Sequence, residues 1–408
     1  MPAADEAMFL FRIANYPHIV SAFGEEAAGR AVAAVTNHLV EIVGSGGSIV
    51  PCRHDVVGIR LMLGSIPGGS LEATHCDNWM RLICETIPLV PFECGSGAIH
   101  VWLSGFWTLS QERDDISSHR WQFPYVCPGR GLPNWARQYR DDMINASRAL
   151  AVLRSCGDDE KPSEFAVRPF WQSVHSASLG TTQFFEALAR IPDGNGSTVS
   201  IAGYVLSLER TGFIRLLDLH MVRHVMTELE RSSEIQAAVN LSALSLRGDP
   251  WWDDVRSALA LKQDIAVRLF LEITETASFP SISEAVRFVD SMRKLGCRIV
   301  LDDFGTGHAS IRQLFALSPD VVKIDRLFLR RAALSDRDRE IFLSLARLAR
   351  SAGATVVAEG VETVEQKQIA LEAGADWQQG YLWGPASGGH PRSSGSATGY
   401  RRAGSLAL

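Results

Sequence analysis

Eight side chains recur at one kind of position along the second half of this 408-residue chain. Short β-rich runs begin apolar and end in an acid, an amide or a lysine. AAVNLSA (237–243) carries Asn240, VRLFLEITE (267–275) carries Glu272 and Glu275, and CRIVLDDFG (297–305) carries Asp302 and Asp303. VVKIDR (321–326), ATVVAEGV (354–361) and DWQQGYLW (376–383) add Lys323, Glu359 and Gln379. One acid at a strand end is ordinarily a helix N-cap or a solvated loop residue. That account fails for the set, because several crowded carboxylates repel one another unless they protonate or bind cations. Hard oxygen ligands without His or Cys favour Mg2+ or Mn2+, and Asp302 with Asp303 could feed two ions. Two such ions, about 3.5–4 Å apart, suit phosphoester hydrolysis. Lys323 could instead form a Schiff base, but that needs a depressed pKa, and neighbouring carboxylates keep an ammonium charged. A place beside the reacting water or phosphate suits it better.

Something must bring these groups together. Helical spacing fills the gaps between the runs, as in LLDLHMVRHVMTELE (216–230) and SEAVRFVDSMRKL (283–295). Apolar strands alternating with amphipathic helices predict an α/β fold with a parallel sheet covered on both faces. The number of units predicts a closed (β/α)8 TIM-like barrel, whose C-terminal strand ends surround one mouth. This domain is expected at 164–386, after a polar linker at 156–163 and before a Gly/Ser-rich tail at 387–408 that reads as disordered. Residues 7–155 read as a smaller α+β domain, with a helix at Ala27–Val43 and a strand at 98–107.

The bulk composition narrows the partners. A net charge of −6 argues against a nucleic-acid or anionic-membrane surface, so neither DNA nor membrane is expected as a partner. No run of eighteen apolar residues and no signal pattern occur, which reads as cytoplasmic. Seven cysteines without CxxC spacing read as thiols in a reducing compartment, with nothing to suggest zinc.

FEALAR (185–190) resembles the motif that names the EAL family of cyclic di-GMP phosphodiesterases. VNLSA (239–243), LEITET (271–276), LDDFGTGHAS (301–310), VVKIDR, VVAEGVET (356–363) and QGYLWG (379–384) follow in family order. The resemblance implies that Glu186, Asn240, Glu272 and Asp302 bind a first metal, with Asp302, Asp303 and Glu359 at a second. It implies that Lys323 meets the water or the phosphate, Gln379 completes the water and metal surroundings, Arg190 holds a phosphate oxygen, and Asp303 also faces the substrate. Glu275 would steady the loop after Asp303. The implied reaction is in-line attack of a metal-activated water on one phosphodiester bond, giving linear pGpG. Homodimerisation is carried by the same analogy. Two departures stand out: Arg168-Pro169 where the family has Gln-Pro on its first strand, and His308 where an aromatic is common. Arg168 remains a candidate substrate contact as an added cation.

The N-terminal region resembles a degenerate GGDEF domain. Arg12 stands where that family's metal-binding Asp is expected, Val20 and Ser21 stand where a guanine-contacting pair is expected, and DVVGI (55–59) replaces the signature. The resemblance implies an inactive packing or dimerisation module, with GTP sensing as the lesser possibility. Residues 111–135, with Trp121, Phe123 and Tyr125, read as an insertion. A non-hydrolysing cyclic di-GMP receptor is the principal alternative function, and a regulator that needs no nucleotide is a third.

Overall fold

The computed structural model describes residues 6–50, 52–62, 73–94, 97–109, 134–154, 167–193, 197–247, 250–274, 279–306 and 310–391. The expected linker, most of the 111–135 insertion, Glu275 and His308 lie outside the described residues. The chain divides into two compact units: Met1–Val167 with Ile191–Leu217, and Arg168–Arg190 with Asp218–Leu408.

The first unit is built on a four-stranded antiparallel sheet in the order β2-β3-β1-β6. Its strands are β1 (Glu6–Ile13), β2 (Gly47–Val50), β3 (Val56–Met62) and β6 (Leu103–Leu109), with a hairpin of β4 (Phe92–Cys94) and β5 (Gly97–Ile99). The strand expected at 98–107 is thus interrupted at His100–Trp102. Helices α1 (Tyr16–Phe23), α2 (Glu25–Val43), α3 (Ala73–Thr86) and α4 (Trp135–Arg154) complete the α+β unit. Alternation along β1 sends Phe9 and Phe11 into a core with Ala31, Val35, Trp79 and Ile83. Helix α5 (Ala202–Thr211) and the short strand β9 (Thr198–Ser200) before it fall in this unit, although β9 hydrogen-bonds to the end of strand β8 (Thr182–Pro192).

The second unit is a barrel. Its strands are β7 (Arg168–Ser176), β8 (Thr182–Pro192), β10 (Ala237–Ser242), β11 (Leu269–Thr274), β12 (Arg298–Phe304), β13 (Val321–Ile324), β14 (Thr355–Ala358) and β15 (Trp377–Gln379). They pair in the order β10-β11-β12-β13-β14-β15-β7-β8, β8 pairs with β10 to close the ring, and β9 adds a short ninth strand beside β8. Helices α6 (Ile214–Arg231), α7 (Asp253–Leu261), α8 (Gln263–Ala266), α9 (Ile282–Leu295), α10 (Ser310–Leu317), α11 (Arg326–Ala332), α12 (Asp336–Ser351) and α13 (Val364–Glu372) stand in the connections. Local chemistry fixes their ends. Ser281 caps α9 at its start and left-handed Gly296 at its end, while Thr363 and Gln366 form a reciprocal cap on α13. Strands such as LFLEIT and VVKI are buried almost throughout, as strands covered on both faces must be. Val174, Phe184, Ala238, Phe270, Val300, Val321 and Val357 fill the interior below the mouth.

One strand departs from the expected parallel sheet. β7 runs antiparallel to both neighbours, β15 and β8. The turn between β7 and β8, with Gly180 at φ +70, is too short for the crossover that a parallel pair needs. The start of β7, not its end, therefore lies beside the C-terminal end of β8. Ser387–Pro391, assigned to the tail from sequence, are fixed to the barrel. Ser387 exchanges two backbone hydrogen bonds with Trp171 (2.8 and 3.0 Å), and His390 Nδ1 lies 2.7 Å from Glu228 Oε2.

Candidate metal centre at the barrel mouth

The polar residues of the strand ends converge on Lys323. β13 is buried at every position, and Lys323, 1% exposed, projects its ammonium among acids from four strands. Its Nζ lies 3.0 Å from Glu186 Oε2, 3.0 Å from Glu272 Oε2, 3.1 Å from Asp302 Oδ1 and 2.9 Å from Glu359 Oε1. Register explains part of this, because Glu186 pairs with Ala238 and Glu272 pairs with Asn240 across neighbouring strands. Asn240 Nδ2 donates to Glu186 Oε1 (2.8 Å), and Gln379 Nε2 donates to Glu186 Oε2 (2.6 Å).

Asp302 and Asp303 pose a geometric problem, since successive residues of a strand point to opposite faces. The β12–β13 register shifts between Leu301 and Phe304, and Asp303 adopts φ +51. This bulge turns the second carboxylate toward the first, so that Asp302, Asp303 and Glu359 each bring an oxygen within 4.8 Å of the others. Glu186, Glu272 and Asp302 form a second such group. A left-handed aspartate is a strained choice, and strain of this kind is held where a site requires it.

Charge balance shows what the cluster lacks. Burial and mutual repulsion raise Glu272 and Glu359 well above the ordinary carboxylate range, against the pull of Lys323. Burial likewise raises Asp302, and Asp303 reaches about 7 through burial and the charge of Asp302. Glu186 goes the other way: burial opposes ionisation, but Lys323 with the Gln379 and Asn240 amides outweighs it and lowers the pKa. Lys323 is raised although burial alone would lower it, because the surrounding acids stabilise its charge. A charged ammonium is a poor imine former, as its neighbours implied.

The side chains fit divalent cations. Asn240 Oδ1, Glu272 Oε1 and Gln379 Oε1 are buried acceptors without a hydrogen-bond donor. Five carboxylates face one ammonium, an excess that hard cations with oxygen ligands would neutralise. No His or Cys shares these groups, so the donor set suits Mg2+ or Mn2+ over zinc.

Of the residues expected to contact substrate, Arg190 ends its strand with the guanidinium 5.8 Å from the centre of the Phe170 ring. Arg168 lies opposite Arg190 in the β7–β8 register, four residues before the position that faces Glu186. The amide that does reach the floor is Gln172, which the sequence reading missed. It sits opposite Glu186 in register, and its Oε1 accepts from Gln379 Nε2 at 3.3 Å. No strand-end rule could find it, because β7 is reversed and the residue is mid-strand. Two-residue alternation back from Arg168 through Phe170 was the available signal.

A closed (β/α) barrel with an oxygen-lined, acid-rich mouth places this unit in the TIM-like class, with a donor set that fits divalent cations. The EAL domain matches residues 161–386, over half of the sequence, and the chain belongs to the EAL domain family. It is 32% identical over 205 residues to the cyclic di-GMP phosphodiesterase PdeF of Escherichia coli, covering 49% of this chain and 27% of that one. It is 31% identical over 280 residues to the cyclic di-GMP phosphodiesterase NbdA of Pseudomonas aeruginosa, covering 62% and 36%. The chain therefore spans about a third of the length of these relatives. An EAL domain protein from Listeria monocytogenes superposes with a TM-score of 0.50 at 20% identity, over 54% of this chain and 89% of that one, and shares the fold.

Proposed function

We propose that the barrel hydrolyses cyclic di-GMP to linear pGpG with two Mg2+ or Mn2+ ions held at its mouth. The observation that carries this reading is the gathering of five acids from four strands around one buried ammonium, with acceptor oxygens to spare. Relatives named as cyclic di-GMP phosphodiesterases support the choice of substrate. Glu186, Asn240, Glu272 and Asp302 would hold one ion, and Asp302, Asp303 and Glu359 the other. Bound there, the ions would acidify water and neutralise charge on the attacked phosphate. Lys323 supplies a fixed positive charge at the floor, aimed at the phosphate or the attacking water. Gln379, anchored by its amide to Glu186, has its oxygen left to orient water. Arg190 would hold a phosphate oxygen from above, with Arg168 opposite it as a further cation for the substrate. Glu275 keeps its proposed role of steadying the segment after Asp303.

The N-terminal unit is proposed to be without cyclase activity. Arg12 Nε donates to Asp55 Oδ2 at 2.9 Å, so a fixed cation stands where acidic metal ligands would be needed.

The test incubates purified protein with cyclic di-GMP and Mg2+ or Mn2+ and follows pGpG by chromatography. Accumulation of pGpG that stops with EDTA is the expected outcome. Tight binding with no turnover would replace this reading by that of a nucleotide receptor.

A further inference from the structure

Away from the mouth, the barrel unit gathers a second set of metal-ligating side chains around helix α6. His220 and His224 are four residues apart on that helix, which stacks them one turn apart on one face. Both are half-buried, and their ring centres are 5.1 Å apart with the planes tilted by 47°. Two imidazoles on one tetrahedral ion, with metal–nitrogen bonds of about 2.0–2.1 Å, have their ring centres roughly 5 Å apart. The pair therefore already stands at the separation that a shared ion imposes. Burial lowers the pKa of His224, with Glu228 opposing the shift and Arg231 and Arg168 adding to it. A neutral imidazole is the form that ligates metals.

A third imidazole comes from the segment that follows the barrel. Glu228, on the next turn of α6, holds it: Oε2 lies 2.7 Å from His390 Nδ1, while Oε1 accepts from Arg231 Nη1 at 2.9 Å. A carboxylate only accepts, so His390 Nδ1 carries the proton and Nε2 is the nitrogen open to a metal. Histidines that ligate metals commonly give their other nitrogen to a carboxylate, which fixes both tautomer and ring. Ser387 and Trp171 exchange backbone hydrogen bonds in both directions, so His390 is carried on an anchored segment. We infer that His220, His224 and His390 form a binding site for a zinc-class divalent ion (Zn2+, Cu2+ or Ni2+), with Glu228 as the positioning residue of His390. Imidazole donors set this site apart from the mouth, whose oxygens suit harder ions. Cysteine spacing, which pointed away from zinc, carries no information about a site of this kind. The bound ion clips Ser387–Pro391 to α6.

The test uses the full chain without a polyhistidine tag, in excess Mg2+ to compete at the mouth. Zn2+ is titrated against a chromophoric chelator, and Cu2+ is followed by electron paramagnetic resonance. Neither readout involves cyclic di-GMP, so both hold whether or not the barrel cleaves it. The parent is expected to take up Zn2+ and, with Cu2+, to show nitrogen superhyperfine splitting that oxygen donors cannot give. His220→Ala, His224→Ala and His390→Ala should each weaken Zn2+ binding by about tenfold or more and simplify the splitting. His390, with 42% of its side chain exposed, carries the test if His224→Ala fails to fold. Glu272→Gln removes an acid of the mouth and leaves the splitting unchanged. A parent without nitrogen splitting would overturn the site, as would Zn2+ affinity and splitting that survive in His220→Ala; the two rings would then be a packing contact only. Parent-like Zn2+ affinity in His390→Ala would overturn the three-imidazole set and the clip with it.

Discussion

Lys323 is the residue on which the mouth depends, because among the described residues it is the one cation within about 3 Å of Glu186, Glu272, Asp302 and Glu359. Removing one partner of a buried ion cluster leaves uncompensated charge, at a cost of about 3–5 kcal/mol. Lys323→Ala should therefore lower stability to urea by roughly that amount in EDTA. Added Mn2+ should recover much of the loss, because divalent charge replaces the ammonium. Equal stability of variant and parent in EDTA would show that the acids are simply protonated and need no counter-charge. Glu359→Gln removes a carboxylate from the group of Asp302, Asp303 and Glu359 while keeping the side-chain shape. Its turnover of cyclic di-GMP should fall by about 100-fold or more with the fold intact by circular dichroism. Parent-rate hydrolysis in that variant would refute the role given to Glu359.

At the scale of elements, the sequence made the parallel strands legible and the reversed one illegible. β11, β13 and β14 are short apolar runs that end in polar groups, and a barrel puts such ends in one place. Gln172 and the turned Asp303 depend instead on hairpin register and a bulge, which pairing with a neighbour decides. The close approach after β15 is of the same kind. A Cβ on Gly380 would come within 2.3 Å of the Val361 backbone N and O, and a backbone contact cannot be relieved by a rotamer change. Gly380→Ala should therefore displace Gln379, destabilise the barrel by about 1–3 kcal/mol and abolish most turnover. An unaltered urea midpoint would refute this. In the N-terminal unit the telling element is the break between β5 and β6. His100 Nδ1 faces the Pro88 carbonyl oxygen (2.7 Å), so it carries the proton, and Nε2 accepts from the Ser147 hydroxyl at 2.8 Å. Burial pushes the imidazole down to about 4, against the Pro88 bond and with the help of Arg154. Between an unfolded value of about 6.5 and that folded value, the unfolded chain binds more protons. The stability contributed is complete above about pH 6.5 and is lost as pH falls toward 4, by up to about 3 kcal/mol. Urea midpoints at pH 7 and pH 5 should diverge in the parent and draw together in His100→Asn.

The whole molecule combines two compact units, and sequence patterning showed their existence more readily than their composition. The shift from helical and strand mixtures to regular βα alternation separates an α+β region from a barrel, as found. The inclusion of Ile191–Leu217 in the first unit was not readable, because it depends on Asp142 meeting Ser207 from 65 residues away. The proposed ions touch barrel side chains, all within Arg168–Arg190 and Asp218–Leu408. Linkage then fixes what Mn2+ must do. A ligand bound only by the folded state stabilises it by about 2.7 kcal/mol at a free concentration 100 times its Kd. In calorimetry at constant pH, Mn2+ should raise the barrel's unfolding transition relative to EDTA. Glu272→Gln removes a fully buried carboxylate of the group of Glu186, Glu272 and Asp302, so its transition should respond far less to the same ion. The variant need not be less stable in EDTA, because burial and repulsion already oppose ionisation of Glu272 when no cation is bound. A shift as large in Glu272→Gln as in the parent would mean that the stabilising ion sits elsewhere, and the mouth would lose its claim to be the metal centre.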